Sequence, residues 1–438
     1  MLTFLGGLVF VGNVTMGFAQ TPTNRPPDPL PIAASCCGVT VAPAPAPPPQ
    51  GTNRGLFTEP RALTSLIDAI VSRSKNEGPE SGGPYVKFGA SVPGAGWIAA
   101  GPGYRHVFDK RLWFDASAVV SWRQYLSGRA RLELRPLANK SMTLGAQVLS
   151  QDWTQVQYFG VGQDSPLADR SIYRLRATDV TAHAVLSPGR LVDVRVRAGM
   201  LNRPRISGAS GWHKLDYPDA QSIYNEASAP GLTAQPRFWH ADVSVSRDTL
   251  DHPEHPTRGL FLELAAAQFD DRDFDRYSFR RYELTTAAFV PIVGNRWTIG
   301  VRGLGVASET SGTNQVPFYM LPNLGRTILR GFDQDRLHDR NLMALNVESR
   351  WALYQHLDFA LFGDFGQVAP TFGALNLRDG ESTVGVGLRL HTGASTVLRI
   401  DAARAGGGRT GWKILVKLND SLSVSKHERW NTVVPVVR

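Results

Sequence analysis

The chain has 438 residues, with 47 Lys and Arg against 38 Asp and Glu, 43 glycines and two cysteines. Its longest apolar runs fall short of the roughly 18 residues a membrane helix needs, whereas a mean hydropathy of -0.18 is compatible with a transmembrane barrel, whose apolar face occupies every second position. The formal charge of +9 comes from basic residues spaced singly among apolar ones, which argues against nucleic acid as a partner; the adjacent Cys36 and Cys37 make neither a disulfide framework nor a spaced metal motif.

Residues 1–20 are largely apolar and end near Gly17-Phe18-Ala19. They read as a signal peptide, although the leading segment carries no Lys or Arg. Residues 21–58, with Pro43, Pro45 and Pro47-Pro48-Pro49, form a Pro-rich linker that cannot pack a core. In residues 59–75, Leu63, Leu66, Ile67, Ile70 and Val71 share one helical face behind Glu59 and Pro60, which predicts a short amphipathic helix. From about Trp97 the period becomes two: Val192, Val194, Val196, Ala198 and Met200 alternate with Asp193, Arg195 and Arg197. Leu398, Ile400 and Ala402 do the same with Arg399, Asp401 and Ala403.

Many of these runs reach about 9–11 residues, the length that crosses a bilayer at a tilt. Strands are predicted at 96–105, 112–122, 128–135, 141–150, 153–160, 171–186, 190–201, 236–247, 258–268, 278–290, 296–306, 341–353, 357–366, 382–391, 395–404 and 411–419. The fold class is therefore all-β: a 16-stranded antiparallel transmembrane β-barrel over residues 84–420, with an even strand count. Ser187-Pro188-Gly189, Pro291 to Asn295, Tyr354 to His356 and Thr392 to Ala394 are short turns on one side, while the long connections Asn202 to Gln235 and Ala307 to Arg340 lie on the other. That asymmetry marks periplasmic and extracellular ends. Trp97, Trp113, Trp239, Trp297 and Trp412 fall near strand ends, where interfacial girdles belong, and residues 421–438 form a polar tail.

One stretch draws these features together. Leu329-Arg330-Gly331-Phe332 lies in the last long loop, and the strand after the next turn closes on Phe362-Gly363-Asp364-Phe365-Gly366. Parity places Phe359, Leu361 and Phe365 on one face and Asp358, Asp364 and Gly366 on the other. A loop Arg and an inward Asp suggest an ion pair inside the barrel.

These motifs resemble the bacterial surface antigen family, the barrel part of BamA/TamA-type outer-membrane assembly factors and two-partner secretion transporters. Leu329-Arg330-Gly331-Phe332 resembles the tip of that family's sixth extracellular loop. Phe362-x-Asp364-x-Gly366 is similar to its strand-13 motif, and Asn346-x-Glu348-x-Arg350 to the strand-12 partner. Asp248, Asp251, Pro256, Thr257, Arg258 and Gly259 resemble its periplasmic turn before a strand, with Leu250 where Arg is common. Gly411, Ile414, Val416 and Leu418 resemble the C-terminal strand signal, here without a terminal aromatic. The resemblance implies that the loop folds into the lumen and that Arg330 pairs with Asp364, with Glu348 as a second partner. It also implies membership without POTRA modules, since the segment ahead of the barrel is too short and Pro-rich for one.

Chemistry is not expected. His252-Pro253-Glu254-His255 lies on a Pro-bound turn rather than a helix face, and no metal or cofactor is expected. His183 and His240 lack a Ser at convincing parity, so enzymatic activity is not expected either. The expected function is insertion or translocation of protein or lipid at the outer membrane. The alternatives are a passive, anion-preferring channel and a structural surface protein. Expected partners are outer-membrane lipid and lipopolysaccharide, the barrel-assembly machinery during biogenesis, and an unidentified client protein.

Overall fold

The computed structural model describes residues 55–75, 82–89, 99–108, 111–137, 141–189, 191–252, 254–393, 395–406, 411–418 and 422. The expected signal peptide, most of the linker, the two cysteines and all of the tail but Leu422 lie outside these residues. A helix, α1, spans Arg61–Lys75. The strands are β1 (Gly83–Gly89), β2 (Ala99–Phe108), β3 (Leu112–Ser121), β4 (Leu126–Leu137), β5 (Met142–Tyr158), β6 (Ser171–Leu186), β7 (Val192–Ser207) and β8 (Phe238–Asp248). They continue with β9 (Gly259–Asp271), β10 (Phe279–Val293), β11 (Trp297–Glu309), β12 (Asn341–Tyr354), β13 (Leu357–Ala369), β14 (Glu381–His391), β15 (Thr396–Ala405) and β16 (Lys413–Lys417). All sixteen form one antiparallel sheet in chain order, the topology of an up-and-down barrel.

The strand count matches the sequence reading only because two errors cancel. A first strand, Gly83–Gly89, was not expected; it is short and flanked by glycines. The two strands expected at 141–150 and 153–160 are one, Met142–Tyr158, whose register against β6 shifts between Trp153 and Val156. That bulge breaks the two-residue alternation on which the sequence reading relied. The correction moves residues 122–125 from the periplasmic to the extracellular end. From β6 onward the expected order stands. The last strand is shorter than the expected 411–419, because Gly411, at φ 106°, turns the chain ahead of it.

Alternation sets the two faces. Val180, Leu186, Val243, Val245, Leu260, Leu264, Val384 and Leu388 are exposed on the outer wall, the surface that lipid covers. The extracellular half of the interior is packed rather than empty. Tyr125 of the β3–β4 turn and Trp153, Tyr158, Tyr173, Phe238, Phe269 and Phe279 from the wall meet Ala229 and Leu232 of the β7–β8 loop and Phe318 to Leu321 of the β11–β12 loop. Further along, Leu324, Ile328, Leu329, Phe332 and Leu337 of that second loop pack on Leu304, Val306, Leu342, Ala344, Val368 and Ala405. A two-residue ladder pairs Asn323–Leu324 with Leu337–His338 and closes the base of the loop.

Flanking segments pack on the periplasmic end as well. Leu56 and Phe57 donate backbone hydrogen bonds to Ala352 and Leu353, both at 2.9 Å. Glu59 accepts from the His356 backbone at 3.1 Å and contacts its imidazole at 2.9 Å. Leu422, beyond β16, is buried against Phe261, Ala287 and Phe289 of β9 and β10.

Candidate functional site: the loop latch and the periplasmic clasp

The parity of β13 sends Asp364 and Phe362 inward, and that of β12 sends Asn346, Glu348 and Arg350 inward; all five are buried. Arg330 descends onto this wall with 1% of its surface exposed. Its Nε and Nη2 donate to the two oxygens of Asp364 at 2.9 and 2.6 Å, and its Nη1 donates to Glu348 at 2.7 Å. Its backbone N–H also reaches Asp364, at 3.2 Å. The guanidinium lies 3.3 Å from the centroid of the Phe362 ring, a cation–π contact between two buried side chains. Burial alone would lower the Arg330 pKa; the Asp364 and Glu348 carboxylates reverse that and hold it above its ordinary value.

Other residues of the motifs make this approach possible. A Cβ on Gly331 would stand 2.7 Å from the Ala405 nitrogen and 2.9 Å from the Arg404 carbonyl carbon, both backbone. Only glycine lets the loop reach β15 there. A Cβ on Gly366 would stand 2.8 Å from Leu324 and 3.3 Å from Leu329, so this wall glycine makes room for the loop. Leu329 and Phe332 are the loop's apolar anchors. Asp364 also accepts from Asn346 and Thr383, each at 2.8 Å.

The structure extends the pair into a network. Arg389 on β14 donates to Glu348 at 2.9 Å and meets Asp401 on β15 at 2.6 Å, and Arg399 meets Asp401 at 3.2 Å. Three guanidiniums therefore face three carboxylates, a balance that buried charge requires. The sequence reading missed Arg389, Arg399 and Asp401, although their inward parity was visible. No local signal says which inward residues on neighbouring strands meet.

A second cluster lies at the periplasmic end of the same wall. In the β8–β9 turn, Asp251 accepts from Thr257 N at 2.9 Å and from Thr257 Oγ1 at 2.5 Å. Asp248 accepts from Leu250 N at 3.0 Å. Gly259 sits at φ 111° with no room for a Cβ beside Thr249. Pro256 offers its carbonyl to Arg350, while the Arg258 side chain is exposed and only its backbone serves the turn. The turn carries His255 across the lumen to Asp358 on β13, at 3.1 Å, where His391 of β14 meets the other carboxylate oxygen at 3.2 Å. The two imidazoles stack with centroids 4.0 Å apart.

Among the described residues, His255, Asp358 and His391 are the group whose ligand atoms, all within 4.8 Å of one another, could hold a metal ion. Their hydrogen bonds favour a different arrangement. Gly393 N–H points at His391 Nδ1, at 3.0 Å, which places the neutral ring's proton on Nε2, directed at Asp358. The trio is therefore a clasp in which His391 hydrogen-bonds Asp358 and His255, held by Thr396, stacks on His391 beside the other carboxylate oxygen.

At the C-terminal signal, Ile414 faces outward and is exposed, and Leu415 faces in. Val416 pairs with Ile400 in the register of β15 and β16. Gly411 precedes the strand and Leu418 follows it.

A family model described as the Omp85 superfamily domain matches residues 168–410. The chain is similar in structure to BamA from Haemophilus ducreyi lacking POTRA domains 1–3, with a TM-score of 0.57 at 13% identity, covering 77% of this chain and 69% of that one. Fainter likenesses reach CdiB from Acinetobacter baumannii (TM-score 0.44, 12% identity, 75% of this chain and 57% of that one) and CdiB from Escherichia coli (0.49, 10%, 76% and 61%). No curated protein sequence matches the chain.

Proposed function

The chain belongs to the Omp85 superfamily, and from that membership we propose that this outer-membrane barrel inserts or translocates a client, protein or lipid, through a lumen that is locked at rest. The carrying observation is the seating of Arg330 on Asp364 and Glu348, 1% exposed, beneath a loop whose apolar residues fill the extracellular half of the barrel. BamA from Haemophilus ducreyi lacking POTRA domains 1–3 is similar in fold, and the motif resemblance to assembly factors and secretion transporters points the same way. Membrane-embedded work of this kind needs no covalent chemistry, so the proposed role is not enzymatic.

A permanently open, anion-preferring pore fits this packing poorly: the lumen is basic in composition, but Arg330, Arg389 and Arg399 are bound to carboxylates and its upper half is apolar. Single-channel recording of the intact protein in planar bilayers tests the reading. The expected result is a small, intermittent conductance; a large, steady, anion-selective one overturns it.

A further inference from the structure

The outer wall carries a charged feature that the lumen does not explain. At the extracellular ends of β4 to β8 lies a groove of about 810 Å³, lined by Leu126, Asp152, Arg176, Arg203, Arg205 and Arg237 among others. It sits just above the apolar band. Along β6 the outward side chains change from Leu186 and Val180, both exposed, to Thr178, Arg176 and Arg174. On β8, Trp239, exposed and paired with Met200 of β7, marks the same boundary. Tryptophan at that height is where hydrocarbon meets headgroup.

The charges there do not cancel. The groove's one carboxylate, Asp152, is engaged by Arg174 at 2.7 and 2.5 Å. Arg237 and Arg203 share Asp273, at 2.6 and 3.5 Å. Arg176 and Arg205 have no carboxylate partner among the described residues, yet they are direct cross-strand neighbours in the register of β6 and β7. Like charges placed opposite each other on one face of a sheet are destabilising. The register also slips here. Arg176 pairs with Arg205 and Thr178 with Asn202, so β7 carries one extra residue. Arg203, in that bulge, has φ 23°, unusual for a residue other than glycine. The bulge turns Arg203 outward beside Asn202 and Arg205, all three exposed. A guanidinium cluster, held in strained backbone at headgroup height, is complementary to phosphate.

We propose that this groove binds the phosphorylated headgroup of an outer-leaflet glycolipid, with Arg176 and Arg205 as its principal ligands, Arg203 and Arg237 at the rim, and Leu126 beside the acyl chains. The proposal rests on the outer-membrane placement and is independent of what the lumen moves.

The full chain is reconstituted in phosphatidylethanolamine bilayers containing either lipid A with its phosphates or the dephosphorylated form, and lipid retained after detergent extraction is measured by native mass spectrometry. Wild type retains phosphorylated lipid A roughly tenfold or more over the Arg176→Ser/Arg205→Ser variant, consistent with the loss of two charge-assisted hydrogen-bonding groups. Arg176→Lys/Arg205→Lys retains an intermediate amount, and dephosphorylated lipid A is retained equally by all. Heat-resistant gel mobility confirms that each variant is folded. Equal retention of phosphorylated lipid A by folded wild type and Ser variant overturns the proposal. So does its complete displacement by millimolar inorganic phosphate, which would make the groove a site for free anion.

Discussion

Replacing Arg330 by Ala tests the latch most directly. The change removes three side-chain hydrogen bonds to two buried carboxylates and a contact with Phe362. Breaking a buried ion pair by deleting one partner costs about 3–5 kcal/mol. Here the lower end applies, because neither carboxylate is abandoned: Asp364 keeps Asn346 and Thr383, and Glu348 keeps Arg389. About 3 kcal/mol on the loop-seating equilibrium corresponds to roughly a hundredfold rise in the unseated population. Ile328 is a residue of the loop that is buried against the wall when the loop is seated, so an Ile328→Cys reporter, in a background with Cys36 and Cys37 replaced by Ser, reads that population through its rate of maleimide labelling. Asp364→Ala should raise the rate at least as much, since it also deprives Asn346 and Thr383 of their acceptor. The double variant should cost less than the two singles together, because they remove one shared interaction. Unchanged labelling rate and unchanged thermal midpoint in both single variants would refute the latch.

Three further outcomes follow from the same geometry. Gly331→Ala should unseat the loop about as strongly as Arg330→Ala, since its Cβ meets backbone that cannot give way; the Ile328→Cys reporter measures it. Asp335, in the loop at φ 52°, is buried and its carboxyl is pushed up to about 6 from an ordinary 3.8, chiefly by burial. A raised folded pKa means that its contribution to loop seating is fully present below pH 3.8 and is lost as pH rises through about 6, on the order of 3 kcal/mol in all. Labelling in wild type should accelerate across that window, whereas Asp335→Asn, which tolerates the positive φ, should flatten the profile. His255→Ala should free the β8–β9 turn, and limited proteolysis from the periplasmic side should cut between Asp248 and Gly259 in the variant but spare wild type.

How much of this was legible in sequence varies from residue to residue. The period of two in β13 placed Phe362, Asp364 and Gly366 inward without any tertiary information, and the loop tetrapeptide supplied Arg330. What Gly331 and Gly366 are for was not legible, because each answers to backbone or side chains of a distant segment. The bulge between Trp153 and Val156 disguised one long strand as two, and a strand as short as β1, with Pro84 in its first turn of alternation, offers too few positions for a period to register. The clasp was hidden for a different reason. His255 and Thr396 touch although 141 residues separate them, and that contact depends on a turn crossing the lumen, which no local pattern encodes. The histidine was seen in sequence; its partners were not.

The latch and the clasp occupy the same three strands. Asp364 and Asp358 lie on β13, Glu348 and Arg350 on β12, Arg389 and His391 on β14. Asp358 and Asp364 are six residues apart on one strand, about 20 Å along it. Arg389 of the latch nevertheless stands directly opposite Asp358 of the clasp in the register of β13 and β14, so the two closures are neighbours on one wall and their free energies should couple rather than simply add. They also stand in series along one lumen. Unseating the loop empties only the extracellular half, because the β8–β9 turn still reaches across the periplasmic end to β13. Arg330→Ala alone should therefore expose Ile328 to labelling while leaving conductance low, and His255→Ala alone should do neither. The Arg330→Ala/His255→Ala variant should conduct steadily, by more than the two single variants combined. If Arg330→Ala alone already opens a steady pore, the periplasmic clasp is not a second barrier and the lumen has a single lock.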